Sequence, residues 1–184
     1  HPHNSWLTRW NIRIGANCVF TSTPFSLPIQ HRKVMVIGQG VDLDQFQRRN
    51  VDKSDDLITV GRVTQIKQID FMLKILEAYH LEYGRRLRLR IVGEALNGND
   101  AEYMSYLKSE MAAKKLESCV VFMGGTAQKD IPELLSKARI FLFFCKGALG
   151  RSAIEAMACE VPVVTSNICV GEALGEGYKN LLYC

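Results

Sequence analysis

Two kinds of apolar pattern alternate along this chain of 184 residues. Short segments rich in β-branched and aromatic residues predict seven strands, at residues 18–21, 34–37, 57–60, 87–92, 119–123, 140–144 and 161–165. Between them, apolar residues such as Ile69, Met72 and Leu76 recur every three or four positions and predict amphipathic helices. Uniformly apolar strands suit a parallel sheet buried on both faces, so we expect a layered α/β fold.

A polar stretch at residues 48–56 separates two parts of the chain. Ahead of it, Trp6, Trp10 and Ile14 predict one amphipathic helix that leads into the first strand. We expect this first part to belong to a neighbouring domain. Because the chain begins with histidine rather than methionine and ends in an apolar run, we also expect an excised fragment.

The formal charge of +4 is small, and the basic residues are spread along the chain. Nucleic acid is therefore not an expected partner, small anionic ligands stay open, and Arg86, Arg88 and Arg90 are interpreted as the solvated start of a strand. Six cysteines show no C-x-x-C pair and no zinc-site spacing with histidine. We expect free, buried thiols, no metal and, without a signal peptide or a membrane-length apolar run, a cytoplasmic location.

A glycine-punctuated loop at residues 147–150 precedes a predicted helix that carries Glu155. Backbone N–H groups and the helix dipole at such a helix start favour a phosphate, and Glu155 is placed to hold a sugar hydroxyl. An alternative stays open, because Ser152 and Glu155 also fit a capping box, in which both side chains bond to backbone N–H groups at the helix start.

Three predicted strands end in glycine, and one of these ends carries cations. Gly61-Arg62 closes the strand at residues 57–60, and Lys67 follows five residues later. Ligands of open α/β sheets bind beyond the carboxyl ends of the strands, so these two cations can clamp a diphosphate; two solvated loop cations are the alternative. At Gly93 and Gly124, glycine either lets the backbone approach a ligand or only allows a tight turn.

Four motifs together carry a family resemblance. They are Ile58-Thr-Val-Gly-Arg62 with Lys67, Leu89-Arg-Ile-Val-Gly-Glu94, Val120-Val-Phe-Met-Gly124 and Ile154-Glu-Ala-Met-Ala-Cys-Glu-Val-Pro-Val-Val164. In order and spacing they resemble the nucleotide-sugar-binding domain of the family 4 (group 1) glycosyltransferases, retaining enzymes of the GT-B fold. The resemblance implies a Rossmann-like parallel sheet with helices on both faces, the C-terminal half of a GT-B enzyme. Residues 1–50 are then the end of the N-terminal domain with the interdomain connection, and residues 51–184 an incomplete nucleotide-sugar-binding domain.

The resemblance also implies a donor site. The family's counterparts of Arg62 and Lys67 bind the diphosphate and act in catalysis, and the counterpart of Glu155 holds the ribose. Backbone at several positions borders the base, the phosphates or the sugar, and the implied binding positions are Gly61, Arg62, Lys67, Gly93, Gly124, Leu149, Gly150 and Glu155. The implied reaction moves a hexose from a nucleoside diphosphate sugar to an acceptor glycan, lipid or small molecule, with retention and without a cofactor or an obligatory metal.

Two positions depart from the family pattern. Gly147 stands where a carboxylate that touches the transferred sugar is usual, and Glu160 stands where a glycine is usual. The acceptor site and a catalytic histidine belong to the family's N-terminal domain, so we expect this chain to bind nucleotide weakly without turnover; peripheral membrane contact of the full enzyme stays open. The alternatives are a noncatalytic nucleotide-sugar-binding module and, less favoured because no G-x-G-x-x-G follows the first strand, a dinucleotide-binding Rossmann domain.

Overall fold

The computed structural model describes residues 5–147 and 149–174 of the chain. Ala148 and residues 175–184, which form part of the predicted second domain and include Cys184, lie outside the described residues. Within the described ranges, the strands form a two-stranded and a five-stranded sheet, and every strand pair is parallel.

The first segment contains helix α1 (Trp6–Trp10), a π-helical turn (Asn11–Gly15) and the paired strands β1 (Val19–Thr21) and β2 (Val34–Val36). Helical backbone therefore runs past Ile14 as predicted, but its second half is π-helical, and the predicted apolar face at Trp6, Trp10 and Ile14 is exposed. A π-helical turn has more residues per turn than an α-helix, so apolar residues spaced by three and four no longer share one face. The α1 tryptophans are more than half exposed, whereas Ile12 in the π-turn is buried.

The main sheet contains β3 (Leu57–Val60), β4 (Leu89–Val92), β5 (Val120–Gly124), β6 (Ile140–Phe143) and β7 (Val163–Thr165). The order is β5-β4-β3-β6-β7. All seven predicted strands are confirmed, each within two residues of its predicted bounds. The chain builds the sheet outward from β3 in one direction and then returns to its other side, so a crevice forms at the carboxyl ends between β3 and β6, where such sheets bind ligands.

Helices cover both faces of this sheet, which confirms the predicted α/β fold. They are α2 (Ile69–Tyr83), α3 (Gly98–Ala113), α4 (Ile131–Lys137), α5 (Arg151–Ala158) and the short α6 (Ile168–Leu174). Because successive strand residues point to opposite faces, Leu57 belongs to the core beneath α2 and α3, and Ile58 belongs to the core beneath α4 and α5.

The arginines at the start of β4 are ion-paired rather than only solvated. Arg90 pairs with the buried carboxylate of Asp56, and Arg88 Nε lies 3.8 Å from Asp56 Oδ1. These contacts join the amino ends of β3 and β4, at the opposite end of the sheet from the crevice.

The cysteine prediction is largely confirmed in the described part of the chain. Five cysteines are free, of which Cys119, Cys159 and Cys169 are buried and Cys145 is half-buried. Cys18 is exposed, because it precedes β1 at the edge of the two-stranded sheet. Between residues 5 and 174, Ala148 left aside, no helix is both long and apolar enough to cross a bilayer.

Candidate functional site

The carboxyl ends of β3, β4 and β5 border an open cavity of about 310 Å³. Four of the predicted site residues line it: Gly61 and Arg62 after β3, Gly93 after β4, and Glu155 on α5. The remaining wall residues are Phe46, Val60, Val92, Glu94, Leu96, Gly125, Thr126, Gln128, Ile131 and Arg151. The structure therefore brings four of the eight predicted positions into one cleft.

Gly61 and Gly93 lie against each other at the ends of β3 and β4. Gly61 N–H donates to Val92 O at 2.9 Å. Gly93 has a φ of +136°, and a β-carbon placed on it would lie 2.1 Å from Gly61 O. Gly93 is thus required for the close approach of the two strand ends, a packing role that exists whether or not its backbone also borders a ligand.

Arg62 follows Gly61 and extends along the cavity wall with about half of its side chain exposed. Its Nε lies 3.8 Å from Asp100 Oδ2. Asp100 is only 4% exposed and stands in the first turn of α3. Arg62 is therefore not a purely solvated loop cation, because a buried carboxylate faces its guanidinium.

Lys67 ends a short 3-10 turn and lies close to Gly61. A β-carbon on Gly61 would lie 3.1 Å from Lys67 Nζ, and that ammonium stands 5.5 Å from the centroid of the Phe143 ring. Burial raises the pKa of the nearby Cys145 thiol, and the positive charge of Lys67 opposes this rise. Lys67 thus lies between the ends of β3 and β6, and it is not among the described residues that line the cavity.

Glu155 is 7% exposed on α5, and its carboxylate reaches the cavity wall. Arg151, one turn earlier, places its Nε 3.1 Å from Glu155 Oε1. Burial raises the pKa of the Glu155 carboxyl, and the Arg151 charge and hydrogen bond oppose the rise. A buried carboxylate beside a cation in a cleft is typical of a ligand-binding acid.

The capping-box alternative for Glu155 is wrong. Helix α5 begins at Arg151 with Gly150 as its N-cap, so Ser152 is the second helical residue and cannot cap. Within the described residues, the buried Ser152 hydroxyl has no hydrogen-bond partner. Glycine supplies no capping side chain but tolerates the N-cap backbone, which shifts the helix start by two residues.

The three other predicted positions do not line the cavity in the described part of the chain. The Leu149 side chain is buried in the core beneath α5. Gly150 packs on Phe143, since a β-carbon there would lie 2.2 Å from Phe143 Cζ. Gly124 O accepts a hydrogen bond from Gly93 N–H at 2.8 Å. Their predicted backbone contacts to a ligand stay predictions, but each of the three has a packing or hydrogen-bonding reason to be where it is.

Sequence reasoning missed several residues of the cleft. Glu94 Oε1 accepts a 2.9 Å hydrogen bond from Gly125 N–H and so joins the ends of β4 and β5. Arg151 could have been found from its position one turn before Glu155. The sequence could have placed Asp100 in the first turn of a helix, because Asn97 three residues earlier is a good N-cap, but not beside Arg62.

Gly147 lies in a loop that is fixed by side chains from the β7–α6 connection. It has a φ of +104°, which L residues rarely adopt. Asn167 Nδ2 donates to Cys145 O at 2.7 Å, and Cys169 Sγ donates to Gly147 O at 3.3 Å. The backbone conformation at Gly147 therefore favours glycine over residues with a side chain.

The parallel, doubly wound sheet places this chain among the layered α/β proteins, which bind ligands at the carboxyl ends of their strands. Residues 54–184 match the family model described as "Glycosyl transferases group 1". The chain belongs to this family. A curated relative, mannosylfructose-phosphate synthase of Agrobacterium fabrum, is 28% identical over 112 residues, which cover 60% of this chain and 25% of the relative.

Solved structures confirm the GT-B type of fold. Anabaena HepE in complex with UDP and glucose has a TM-score of 0.79 at 20% identity, over 100% of this chain and 55% of that chain. Sucrose-phosphate synthase of Thermosynechococcus elongatus has a TM-score of 0.68 at 21% identity, over 82% and 40% of the two chains. The C-terminal domain of Francisella tularensis LpcC has a TM-score of 0.64 at 18% identity, over 79% and 80%. The chain thus spans a quarter of its curated relative and about half of HepE.

Proposed function

We propose that this chain is the donor-binding part of a retaining glycosyltransferase that moves a hexose from a nucleoside diphosphate sugar to an acceptor glycan, lipid or small molecule. The observation that carries the proposal is the cleft at the strand ends, which Arg62 and the buried Glu155 line together. A guanidinium and a carboxylate in one cleft suit a ligand with a diphosphate at one part and ribose hydroxyls at another.

The proposed chemistry depends on fixed charges. Arg62 binds two diphosphate oxygens at once, and Lys67, which lies close to Gly61, adds a point charge. Both cations stand in place before the bond to the sugar breaks, so they stabilise the charge that develops on the leaving diphosphate without an obligatory metal. The ribose hydroxyls donate to Glu155. The acceptor hydroxyl attacks the anomeric carbon from the face that the diphosphate leaves and passes its proton to the leaving phosphate oxygen, so the anomeric configuration is retained.

We propose UDP as the nucleotide. Three structural relatives are described in complex with it: HepE, Staphylococcus aureus TarM and the pneumococcal O-GlcNAc transferase GtfA. HepE is also described with UDP-glucose. These relatives support a UDP-sugar as the first donor to test on this chain.

The test is thermal unfolding of this chain with UDP, GDP, ADP and NAD in turn. A ligand that binds only the folded state raises the melting temperature. We expect UDP to raise it, and we expect Arg62→Ala to abolish the rise, whereas the exposed Arg85→Ala at the other end of the sheet leaves it unchanged. A rise with NAD alone, or none with any of the four, would overturn the proposal.

We further propose that this chain does not transfer sugar by itself. It spans 55% of the length of HepE. In the family that the chain resembles, the acceptor-binding site and the catalytic histidine belong to the other domain. The same proposal includes three further points. The chain divides into two domains near residue 50, the protein is cytoplasmic, and the longer enzyme makes a peripheral membrane contact. Sugar transfer measured with the 184-residue chain alone would contradict the claim of inactivity.

A second candidate, a noncatalytic nucleotide-sugar-binding module, is supported by Gly147 and its glycine-type backbone. It predicts UDP-glucose binding without transfer even when the remaining domain is present. The parent protein therefore separates the two candidates: release of UDP from UDP-glucose in the presence of acceptors supports the enzyme, and binding without release supports the module.

A further inference from the structure

Asp100 is a buried charge directly beside the proposed diphosphate-binding arginine. It is 4% exposed, and its Oδ2 lies 3.8 Å from Arg62 Nε. The same oxygen accepts a 3.3 Å hydrogen bond from Leu96 N–H. A buried carboxylate is costly unless it is hydrogen-bonded and paired, so both contacts have an energetic reason to persist.

Asp100 is placed by a helix cap that does not involve Arg62. Its own N–H donates to Asn97 Oδ1 at 2.9 Å, which makes Asn97 the N-cap of α3. The cap fixes the first turn of α3, and the first turn fixes the Asp100 carboxylate beneath the Arg62 guanidinium. The position of the acid is thus set before any ligand arrives.

The contact has a useful geometry for an arginine that binds phosphate. A half-exposed arginine has many rotamers and loses that freedom when it binds. A carboxylate at Nε restrains the side chain while it leaves the two terminal NH₂ groups for a bidentate contact with a diphosphate. Restraint before binding raises affinity, because less ordering remains to be done on binding.

We infer that Asp100 is a positioning residue that orients Arg62 toward the diphosphate of the donor; this inference rests on the proposed function. Because Asp100 also holds Leu96 N–H, and Leu96 and Arg62 both line the cavity, one carboxylate sets two parts of the wall relative to each other. The structural alternative is that Asp100 serves only the start of α3.

The test compares Asp100→Asn with Asn97→Ala by calorimetric titration of UDP and of uridine, which lacks the phosphates. Asp100→Asn removes the charge that faces Arg62, and Asn97→Ala removes the cap but keeps that charge. We expect Asp100→Asn to weaken UDP binding about tenfold and uridine binding less than about twofold. We expect Asn97→Ala to weaken UDP relative to uridine by less than Asp100→Asn does, because the charge that faces Arg62 and its hydrogen bond from Leu96 N–H remain when the cap is lost.

Two results overturn the role of Asp100: equal weakening of UDP and uridine by Asp100→Asn, or UDP binding that is unchanged or tighter. Should Asp100→Asn fail to fold, Asp100→Glu keeps the charge but moves it by one methylene group. It is expected to weaken UDP relative to uridine, and an unchanged ratio overturns the inference.

A measurement without nucleotide separates this inference from the proposed function. The Nε–H resonance of Arg62, assigned by its loss in Arg62→Lys, is expected to exchange more slowly with water in the wild-type chain than in Asp100→Asn. Equal exchange rates overturn the restraint of Arg62. If the rates differ but UDP, GDP and ADP all fail to bind, the proposed function is wrong and the role of Asp100 toward a diphosphate is lost with it.

Discussion

Arg151 Nε lies 3.1 Å from Glu155 Oε1, and both side chains line the same cleft. The pair is unequal, because Arg151 is mostly exposed and the Glu155 side chain is 9% exposed. Burial raises the pKa of Glu155 more than Arg151 lowers it. Ionisation of Glu155 therefore costs the folded chain free energy, and an acid destabilised in this way inside a cleft is typical of a binding site.

Replacement of Glu155 by glutamine is expected to separate stability from binding. Glutamine removes the buried charge, so we expect the free energy of unfolding to rise by about 1 kcal/mol near neutral pH. We expect UDP affinity to fall about tenfold, because the ribose hydroxyls lose a charged acceptor. Thermal unfolding with and without UDP measures both effects.

The gain from Glu155→Gln has a defined pH dependence. The folded-state pKa is raised, so ionisation costs stability at neutral pH, and the cost disappears as the pH falls through the raised pKa to below the ordinary value of 4.5. The advantage of the variant should vanish over that interval. The exposed Glu117→Gln is the control and should change stability by less than about 0.5 kcal/mol. A loss of stability at neutral pH would show that Arg151 outweighs burial.

Gly93→Ala is expected to separate the ends of β3 and β4. The added carbon would meet Gly61 O at 2.1 Å on a backbone with a φ of +136°, so the strand ends must move. We expect a loss of about 3 kcal/mol in the free energy of unfolding, measured by urea denaturation. Gly98→Ala in the first turn of α3 is the control, since no described heavy atom lies within 4 Å of its β-carbon position. It should be neutral or stabilising by about 0.5 kcal/mol, and equal losses in both variants would contradict the close approach.

The strands were predictable because each is a short run of residues with a strong preference for extended backbone. Leu57–Val60 has the predicted bounds, and the other strands differ only at their ends, where pairing rather than preference decides. The cleft lies at the carboxyl ends of the strands, and the glycines at 61 and 93 mark two of those ends in the sequence. Arg62 and Glu155 were therefore found in the cleft that the structure shows.

Tertiary packing explains what the sequence did not predict. The contact between Arg62 and Asp100 joins residues on two different strand–helix connections, and no periodicity reports it. The pattern Ser152-x-x-Glu155 fits a capping box by spacing alone, but Phe143 packs against Gly150 and the helix begins there. The side chain that does cap a helix is Asn97, whose Oδ1 accepts a hydrogen bond from Asp100 N–H at the start of α3.

Glu160→Gly is expected to stabilise the chain, because Glu160 has a backbone conformation that favours glycine. Glu160 has a φ of +58° just after α5. Its N–H donates to Met157 O at 2.9 Å, and Val161 N–H donates to Ala156 O at 3.0 Å, which is the hydrogen-bond pattern of a Schellman motif. Glycine removes the strain of a β-carbon in this conformation, and we expect a gain of about 1 kcal/mol by urea denaturation.

The control for this variant is Glu160→Ala. Both substitutions remove the ion pair between Glu160 Oε2 and Arg48, which is 3.2 Å long and exposed, but only glycine removes the β-carbon. Because an exposed pair contributes at most about 1 kcal/mol, alanine should be neutral or slightly destabilising. A gain with alanine equal to that with glycine would assign the effect to the lost charge instead of the backbone.

Gly147→Glu is expected to add a carboxylate at the cost of backbone strain. At Gly147 and at Gly40, no described heavy atom outside the two chain neighbours lies within 4 Å of the β-carbon position, but only Gly147 has a positive φ, +104°. Gly40 lies two residues from Gly38, which has a positive φ, but Gly40 itself does not, so Gly40→Glu controls for the added charge and volume.

We expect Gly147→Glu to lose about 1–3 kcal/mol of stability, against less than about 0.5 kcal/mol for Gly40→Glu, in urea denaturation. Titration with UDP-glucose should show no gain in affinity. Wild-type stability together with tighter UDP-glucose binding would mean that the loop held by Asn167 and Cys169 accepts a sugar-binding acid.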